Sequence, residues 1–159
     1  MGGAPVEAAT LMRVDPDGNV TPVAQDMWFA NGSVITVAAY GALTNRRTWA
    51  KFAELPTDRN LHAALGQLVV APDGCCLDAE SALWIADAVG ARLVRVREGG
   101  EIVDEISVGT GVYACMLGGG DGRTLFACAA PDFDEKARSA AREGSLLAIR
   151  VDVPHAGRP

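Results

Sequence analysis

Aromatic residues, basic residues and long apolar runs are all scarce in this sequence. Aromatic side chains make up 6% of the 159 residues, so the core has to be built mostly from Val, Leu, Ile and Ala. No apolar run reaches the roughly 18 residues that indicate a membrane-spanning helix. Acidic residues outnumber basic ones by 20 to 14, and the net charge of −6 argues against a nucleic-acid or anionic-membrane partner.

Several common catalytic and ligand-binding motifs are also missing. The glycine-rich run at 118–122 is not followed by Gly-Lys-Ser/Thr, so it is not a phosphate-binding loop. No Gly-x-Ser-x-Gly sequence occurs, which argues against a serine hydrolase. The four cysteines form no Cys-x-x-Cys pair, which excludes zinc sites of the common spacings. We expect these cysteines to be buried as small apolar residues in a reducing compartment.

What the sequence does contain is a series of short apolar runs separated by turn residues. Hairpin turns are predicted at 15–18, 78–81, 99–100 and 118–122. Around the second of these turns, residues 75–77 are expected to pair with residues 83–85. A single convincing helix is predicted over 131–144, with Asp132 as its N-cap and Gly144 just beyond its end. The pattern indicates an all-β protein with one short helix near the C-terminus.

Two of the hairpins repeat one another. Leu-Met-Arg-Val at 11–14 followed by Gly18 resembles Leu-Val-Arg-Val at 93–96 followed by Gly100. Repeated units of about four strands and roughly 40–50 residues are typical of propeller blades. We therefore expect a single domain over 1–159 with about three blades, each a small antiparallel sheet.

The tripeptide Pro72-Asp73-Gly74 stands directly before the central hairpin. Proline fixes φ and glycine tolerates positive φ, so a sharp turn there can hold the Asp73 carboxylate at the mouth of a strand. A carboxylate in that place suits a metal ligand or a general base, although spacing alone favours an ordinary surface turn. Asn31 precedes Gly32, and this local sequence alone also indicates a simple turn residue.

The order of motifs resembles the sugar-lactonase family that includes gluconolactonase and senescence marker protein (regucalcin). The central similarity is P-D-G-x-x-x-D-x-x-x-x-L-W-I-A at 72–86, and further similar stretches lie at 29–32, 43–47 and 117–126. The likeness covers nearly the whole chain but only about the C-terminal half of such a protein. Two departures are a segment shorter by about 20 residues after position 36, and Ser81, which stands where the family usually has a turn glycine.

The resemblance implies a six-bladed propeller with one divalent metal ion at the mouth of its central channel. The family's ligands are a Glu of the first blade, two Asn, and the Asp of the Pro-Asp-Gly motif. Asn31 and Asp73 match one Asn and this Asp, whereas the other two ligands fall in the half that this chain lacks. Oxygen ligands of this kind suit Ca²⁺, Mg²⁺, Mn²⁺ or Zn²⁺. By the same resemblance, Asp73 is also the expected catalytic residue.

Two functions follow as expectations. The first is a metal-dependent hydrolase that opens a small-molecule sugar lactone. The second is a non-catalytic propeller remnant that serves as a binding or assembly module. About half a propeller leaves open blade edges, so we also expect self-association into a homo-oligomer. The N-terminal residues show neither a basic n-region nor a long apolar h-region, so the expected location is cytoplasmic.

Overall fold

The computed structural model describes residues 8–27, 47–54, 56–57 and 60–157. Within these ranges the chain forms nine strands and two short helices. The strands are β1 (Ala9–Val14), β2 (Val20–Met27), β3 (Pro72–Leu77), β4 (Leu83–Asp87), β5 (Arg92–Val96), β6 (Ile102–Ser107), β7 (Gly111–Gly118), β8 (Thr124–Ala130) and β9 (Ser145–Arg150). The helices are α1 (Leu61–Leu65) and α2 (Glu135–Ala140). Neither described helix has the length and apolar character needed to cross a membrane.

The nine strands form three antiparallel sheets that follow the order of the chain. The first sheet pairs β1 with β2, the second runs β3-β4-β5-β6, and the third runs β7-β8-β9. Within each sheet, consecutive strands are joined by a short hairpin, except that α2 lies between β8 and β9. This arrangement confirms the expected all-β architecture of about three small sheets with short helices.

The central hairpin has the predicted register. Cys75, Cys76 and Leu77 of β3 lie opposite Ile85, Trp84 and Leu83 of β4. The register holds because both strands are short apolar runs that end at the same turn. In that turn the backbone N–H of Ser81 donates to the carbonyl oxygen of Asp78 at 3.0 Å.

Strand β4 is buried on both faces. Because side chains alternate along a strand, Trp84 and Ala86 face one cluster while Leu83 and Ile85 face the other. The first cluster fills the space between the second and third sheets, where Leu93 and Leu125 are fully buried. Residues packed on the opposite face of the second sheet include Trp49, Ala50 and Phe52.

The residues after β9 return to the tip of the central hairpin. The backbone N–H of Ala79 donates to Pro154 O at 2.8 Å, and that of Ala156 donates to Leu77 O at 3.2 Å. Between these contacts, the N–H of His155 donates to Gly122 O at 3.0 Å. The C-terminal segment therefore ties the second sheet to the third.

Three expectations about local structure need correction. The C-terminal helix spans Glu135–Ala140 instead of 131–144, because Asp134, not Asp132, caps it by accepting from Ala137 N at 2.7 Å. The mixture of apolar and basic residues at 43–52 is compatible with an edge strand, but its described part, 47–52, forms none. Trp49 instead packs on the second sheet and donates from Nε1 to Val96 O at 3.4 Å. Cys128 is exposed, because its position on β8 points away from the core.

The turn at Ser81 predicts a stabilising substitution. Ser81 has a φ of 60°, a left-handed conformation that is costly for residues with a Cβ atom. We expect Ser81→Gly to raise the free energy of unfolding by about 0.5–1 kcal/mol, after the extra unfolded-state entropy of glycine is subtracted. Urea denaturation measures the change. Ala91, with a φ of 50°, offers a matched second site, and a loss of stability in both glycine variants would contradict the explanation.

Candidate functional site at the first strands of two sheets

Asp73 lies in a β-bulge at the beginning of β3. Pro72 pairs with Asp87 and Cys75 pairs with Ile85, so Asp73 and Gly74 together face the single residue Ala86. A bulge breaks the alternation of side chains and re-aims the residues within it. The sequence predicted a turn at this position; the structure places the irregularity inside the strand itself.

The Asp73 carboxylate is half-buried, and no donor in the described part of the chain bonds to it. Burial raises the pKa of Asp73. A desolvated carboxylate without a protein partner is suited to bind a cation or to accept a proton from a ligand.

Two other aspartates of the same sheet are fully buried and hydrogen-bonded. Asp78 is fully buried, and its Oδ1 accepts from the backbone N–H groups of Glu80 at 2.9 Å and Ala82 at 3.0 Å. Its Oδ2 accepts from Arg95 Nε at 2.6 Å. Both carboxylate oxygens are committed, Oδ1 to the turn and Oδ2 to β5, so Asp78 has a structural role.

Asp87 repeats this arrangement at the other end of β4. It is fully buried, and Oδ1 accepts from the backbone N–H groups of Ala71 at 2.9 Å and Gly90 at 3.1 Å. Arg92 Nε donates to Oδ2 at 2.9 Å. Gly90 is required here because a Cβ atom would lie 2.1 Å from Oδ2 of Asp87. Asp87 is therefore also structural, which leaves Asp73 as the available carboxylate of the central hairpin.

Strand β3 meets β7, the first strand of the third sheet, through Gly74. A Cβ atom at Gly74 would lie 2.6 Å from Ala114 Cα and 3.2 Å from Tyr113 O. Glycine is therefore needed for the backbones to approach. This contact places the residue after Asp73 directly against the residue after Tyr113.

We expect Gly74→Ala to lower the free energy of unfolding by about 1–3 kcal/mol, the usual cost of overpacking. The added methyl group would collide with backbone atoms, which cannot rotate away. The control is Gly120→Ala, since a Cβ atom there meets nothing within 4 Å and φ is not positive. Thermal denaturation of both variants makes the comparison, and equal melting temperatures would contradict the close contact between β3 and β7.

Tyr113 lies in a second bulge, which faces the first. Val112 pairs with Ala129 and Ala114 pairs with Cys128, so Tyr113 is the extra residue of β7. Its ring packs edge-to-face on Phe133, with centroids 6.3 Å apart and an interplanar angle of 81°. Burial first, and then the negative charges of Asp132 and Asp73, raise the pKa of Tyr113. Sequence reasoning missed Tyr113, because nothing in the residues around it signals a bulge.

Next to the two bulges, two buried cysteines pack between β3 and β7. Cys76 and Cys115 are buried in the cluster between the sheets, as expected for small apolar residues. The Cys115 thiol lies 3.5 Å from Gly74 O and 3.4 Å from Trp84 O. A hydrogen bond with Cys76, and then burial, raises the pKa of Cys115, so this thiol stays protonated and unreactive.

The structure tests the expected metal site only in part. Asn31 lies outside the described residues. Among the residues that are described, no group of three or more His, Cys, Asp and Glu side chains could hold a metal ion. The free carboxylate of Asp73 fits the role of one oxygen ligand to a hard divalent cation, but a cation with six or more ligands would need further oxygen atoms.

Comparison with known proteins places this geometry in context. Residues 1–130 match the family model described as SMP-30/Gluconolactonase/LRE-like region. A 6-deoxy-6-sulfogluconolactonase of Pseudomonas putida is 26% identical over 168 residues, which cover 94% of this chain and 55% of that protein. The chain thus spans about half the length of this curated relative.

Two solved structures share the fold. A luciferin-regenerating enzyme superposes with a TM-score of 0.66 at 18% identity, and a calcium-binding regucalcin of Agrobacterium tumefaciens with a TM-score of 0.64 at 16% identity. Each alignment covers 92% of this chain and 53% of the other. The three sheets therefore correspond to about half of that propeller. Since the family model matches most of its length, the chain belongs to the SMP-30/gluconolactonase/LRE-like family.

Proposed function

We propose that this chain takes part in the metal-dependent hydrolysis of a sugar lactone, with Asp73 as catalytic residue and with Asn31 and Asp73 as metal ligands. The observation that carries the proposal is the contrast between three aspartates of one sheet. Asp78 and Asp87 are fully buried and accept hydrogen bonds through both carboxylate oxygens, whereas Asp73 is half-buried and accepts none from the described residues. The family membership and the lactonase relative supply the substrate class.

In this proposal Asp73 acts on the attacking water. The carboxylate accepts a proton as the water oxygen bonds to the lactone carbonyl carbon. The bond between this carbon and the ring oxygen then breaks, and the proton passes from Asp73 to that oxygen, which leaves as a hydroxyl group. The product is the open hydroxy acid. A bound divalent cation would supply Lewis-acid polarisation of the carbonyl group.

The test is hydrolysis of D-glucono-δ-lactone by the purified chain with Ca²⁺, Zn²⁺, Mg²⁺ or Mn²⁺, before and after treatment with a chelator. We expect hydrolysis that the chelator abolishes and that one of the four ions restores. Because Asn31 and Asp73 alone are few ligands for such a cation, we expect weak metal affinity and modest rates. An absence of both metal binding and hydrolysis would contradict the proposal.

A non-catalytic assembly module is the second candidate, and exposed apolar residues at the sheet edges favour it. Leu146 of β9 is 69% exposed and Val14 of β1 is 65% exposed. Unpaired strand edges with apolar side chains promote pairing with another chain. We therefore expect the isolated 159-residue chain to self-associate, as measured by size-exclusion chromatography with light scattering. A compact monomer at high concentration would argue against this candidate.

A further inference from the structure

The two bulges place one polar residue of each sheet next to the contact between β3 and β7. Asp73 precedes Gly74, Tyr113 precedes Ala114, and the backbones meet at these two following residues. Both side chains are half-buried and within electrostatic reach of one another. Neither bulge is needed for the hairpin turns, which lie at the other ends of β3 and β7. Bulges that re-aim side chains are over-represented next to active sites.

The Tyr113 ring is held while its hydroxyl group is left free. Phe133 packs on the ring. The hydroxyl group lies over the backbone of Gly111, where a Cβ atom would come within 2.2 Å of Oη. Within the described part of the chain, the hydroxyl group makes no hydrogen bond. A phenol in this position is a fixed, neutral donor, and none of the described residues supplies an acceptor for its hydroxyl group.

The charges around Tyr113 come from β3, from the loop before α2 and from α2 itself. Asp73 and Asp132 are the negative neighbours, and Arg138 is the positive one. Arg138 is itself paired, since its Nε lies 3.0 Å from Asp132 Oδ1 and its guanidinium group also pairs with Glu143. The phenol is therefore the uncommitted donor beside the uncommitted Asp73 carboxylate.

We propose that Tyr113 is a substrate-binding residue of the Asp73 site, where its hydroxyl group donates a hydrogen bond to a hydroxyl oxygen of a sugar lactone. This inference rests on the proposed function. The adjacent rings of Tyr113 and Phe133 form an apolar wall against which the C–H face of a sugar ring packs. A carboxylate, a phenol and this wall together select a polyhydroxylated lactone over an unsubstituted one.

The test compares Tyr113→Phe with the wild type on two lactones. D-glucono-δ-lactone carries hydroxyl groups, whereas δ-valerolactone does not. We expect kcat/KM for the sugar lactone to fall about five- to tenfold, mainly through a higher KM, because one hydrogen bond is lost. We expect kcat/KM for δ-valerolactone to change less than about twofold, since that substrate offers no hydroxyl group to Tyr113. The melting temperature should be unchanged, because phenylalanine keeps the ring packing on Phe133.

A second readout is independent of turnover. The sequence contains two tyrosines, so binding of the product D-gluconate can be followed by a near-ultraviolet difference spectrum in which Tyr113→Phe identifies one of them. We expect the difference signal in the wild type and its loss in the variant. Isothermal titration calorimetry should show gluconate affinity lowered about five- to tenfold in the variant.

The outcomes separate this inference from the proposed function. If the wild type hydrolyses the sugar lactone and Tyr113→Phe does so equally well, the role of Tyr113 is wrong while the proposed function stands. If both lactones lose rate equally in the variant, Tyr113 supports the structure and does not select the substrate, which also overturns the inference. If the wild type neither hydrolyses the lactone nor binds gluconate, the proposed function and this inference fall together.

Discussion

Replacing Asp73 by asparagine is expected to abolish metal-dependent lactone hydrolysis and to leave folding unchanged. Asparagine keeps the shape of the side chain but removes its charge and its ability to accept a proton. Loss of a general base alone typically costs about 10²–10⁴ in rate, and the loss of a ligand charge weakens metal binding as well. Folding is preserved because, within the described part of the chain, no hydrogen bond to the protein depends on this carboxylate.

The matched control for this variant is Asp104→Asn. Asp104 is exposed on β6, and its Oδ1 accepts from the N–H of Glu105, an acceptor that asparagine retains. Hydrolysis rates, metal titrations and melting temperatures of the two variants and the wild type are compared in parallel. Equal hydrolysis by Asp73→Asn and the wild type would remove Asp73 from the catalytic role.

The same residue predicts how metal binding depends on pH. Burial raises the pKa of Asp73, so the metal-free carboxyl group holds its proton at a higher pH than an ordinary aspartate. A cation binds the carboxylate and must displace that proton. As the pH is lowered, metal affinity should therefore begin to decline at a higher pH than it would for an aspartate with an ordinary pKa. The decline should be absent in Asp73→Asn, which isothermal titration calorimetry at several pH values can show.

The largest expected loss of stability comes from Asp78→Ala. The substitution removes the buried charge partner of the Arg95 guanidinium group, and removing one member of a buried pair costs about 3–5 kcal/mol. It also leaves the backbone N–H groups of Glu80 and Ala82 without an acceptor. A loss of this size is a large part of the about 5–15 kcal/mol that stabilises a typical domain. Urea unfolding should show a much lower midpoint.

Glu80→Gln is the control, because Glu80 pairs with the same arginine from the surface. Glu80 Oε2 lies 2.8 Å from Arg95 Nη2, but its side chain is 59% exposed. Exposed ion pairs contribute at most about 1 kcal/mol, so this variant should unfold close to the wild type. Asp78→Asn, which retains an acceptor for the turn, should fall between the two. If Glu80→Gln and Asp78→Ala lowered the free energy of unfolding by similar amounts, burial of the Asp78–Arg95 pair would not explain its contribution to stability.

Much of the architecture was predictable from the sequence because hairpins are local. The pairing of 75–77 with 83–85, the turn at 99–100 and the glycine-rich turn at 118–122 follow from short apolar runs joined by turn residues, and all three are confirmed. The exact bounds of α2 were not predictable, because Asp132 and Asp134 are both good N-cap residues. Only the folded chain shows which one meets the free N–H groups.

The candidate site depended on the tertiary structure. In the sequence, Asp73, Asp78 and Asp87 are three aspartates at the edges of strands, and the Pro-Asp-Gly setting of Asp73 is by itself ordinary turn chemistry. Folding brings Arg95 and Arg92 to two of them and none of the described donors to the third. The family pattern pointed to Asp73, whereas the partners of the other two explain physically why Asp73 is the one left available.

Tyr113 marks the limit of sequence reasoning in this protein. Its neighbours at 114–117 form a short apolar run, which is typical of a buried strand, so the sequence determined that a strand passes through this position. The bulge at Tyr113 lies where β7 pairs with β8 and next to the contact between Gly74 and Ala114, which are about 40 residues apart in the chain. Local residue types determine strands and turns, but the direction of a bulged side chain is decided by the strands packed around it.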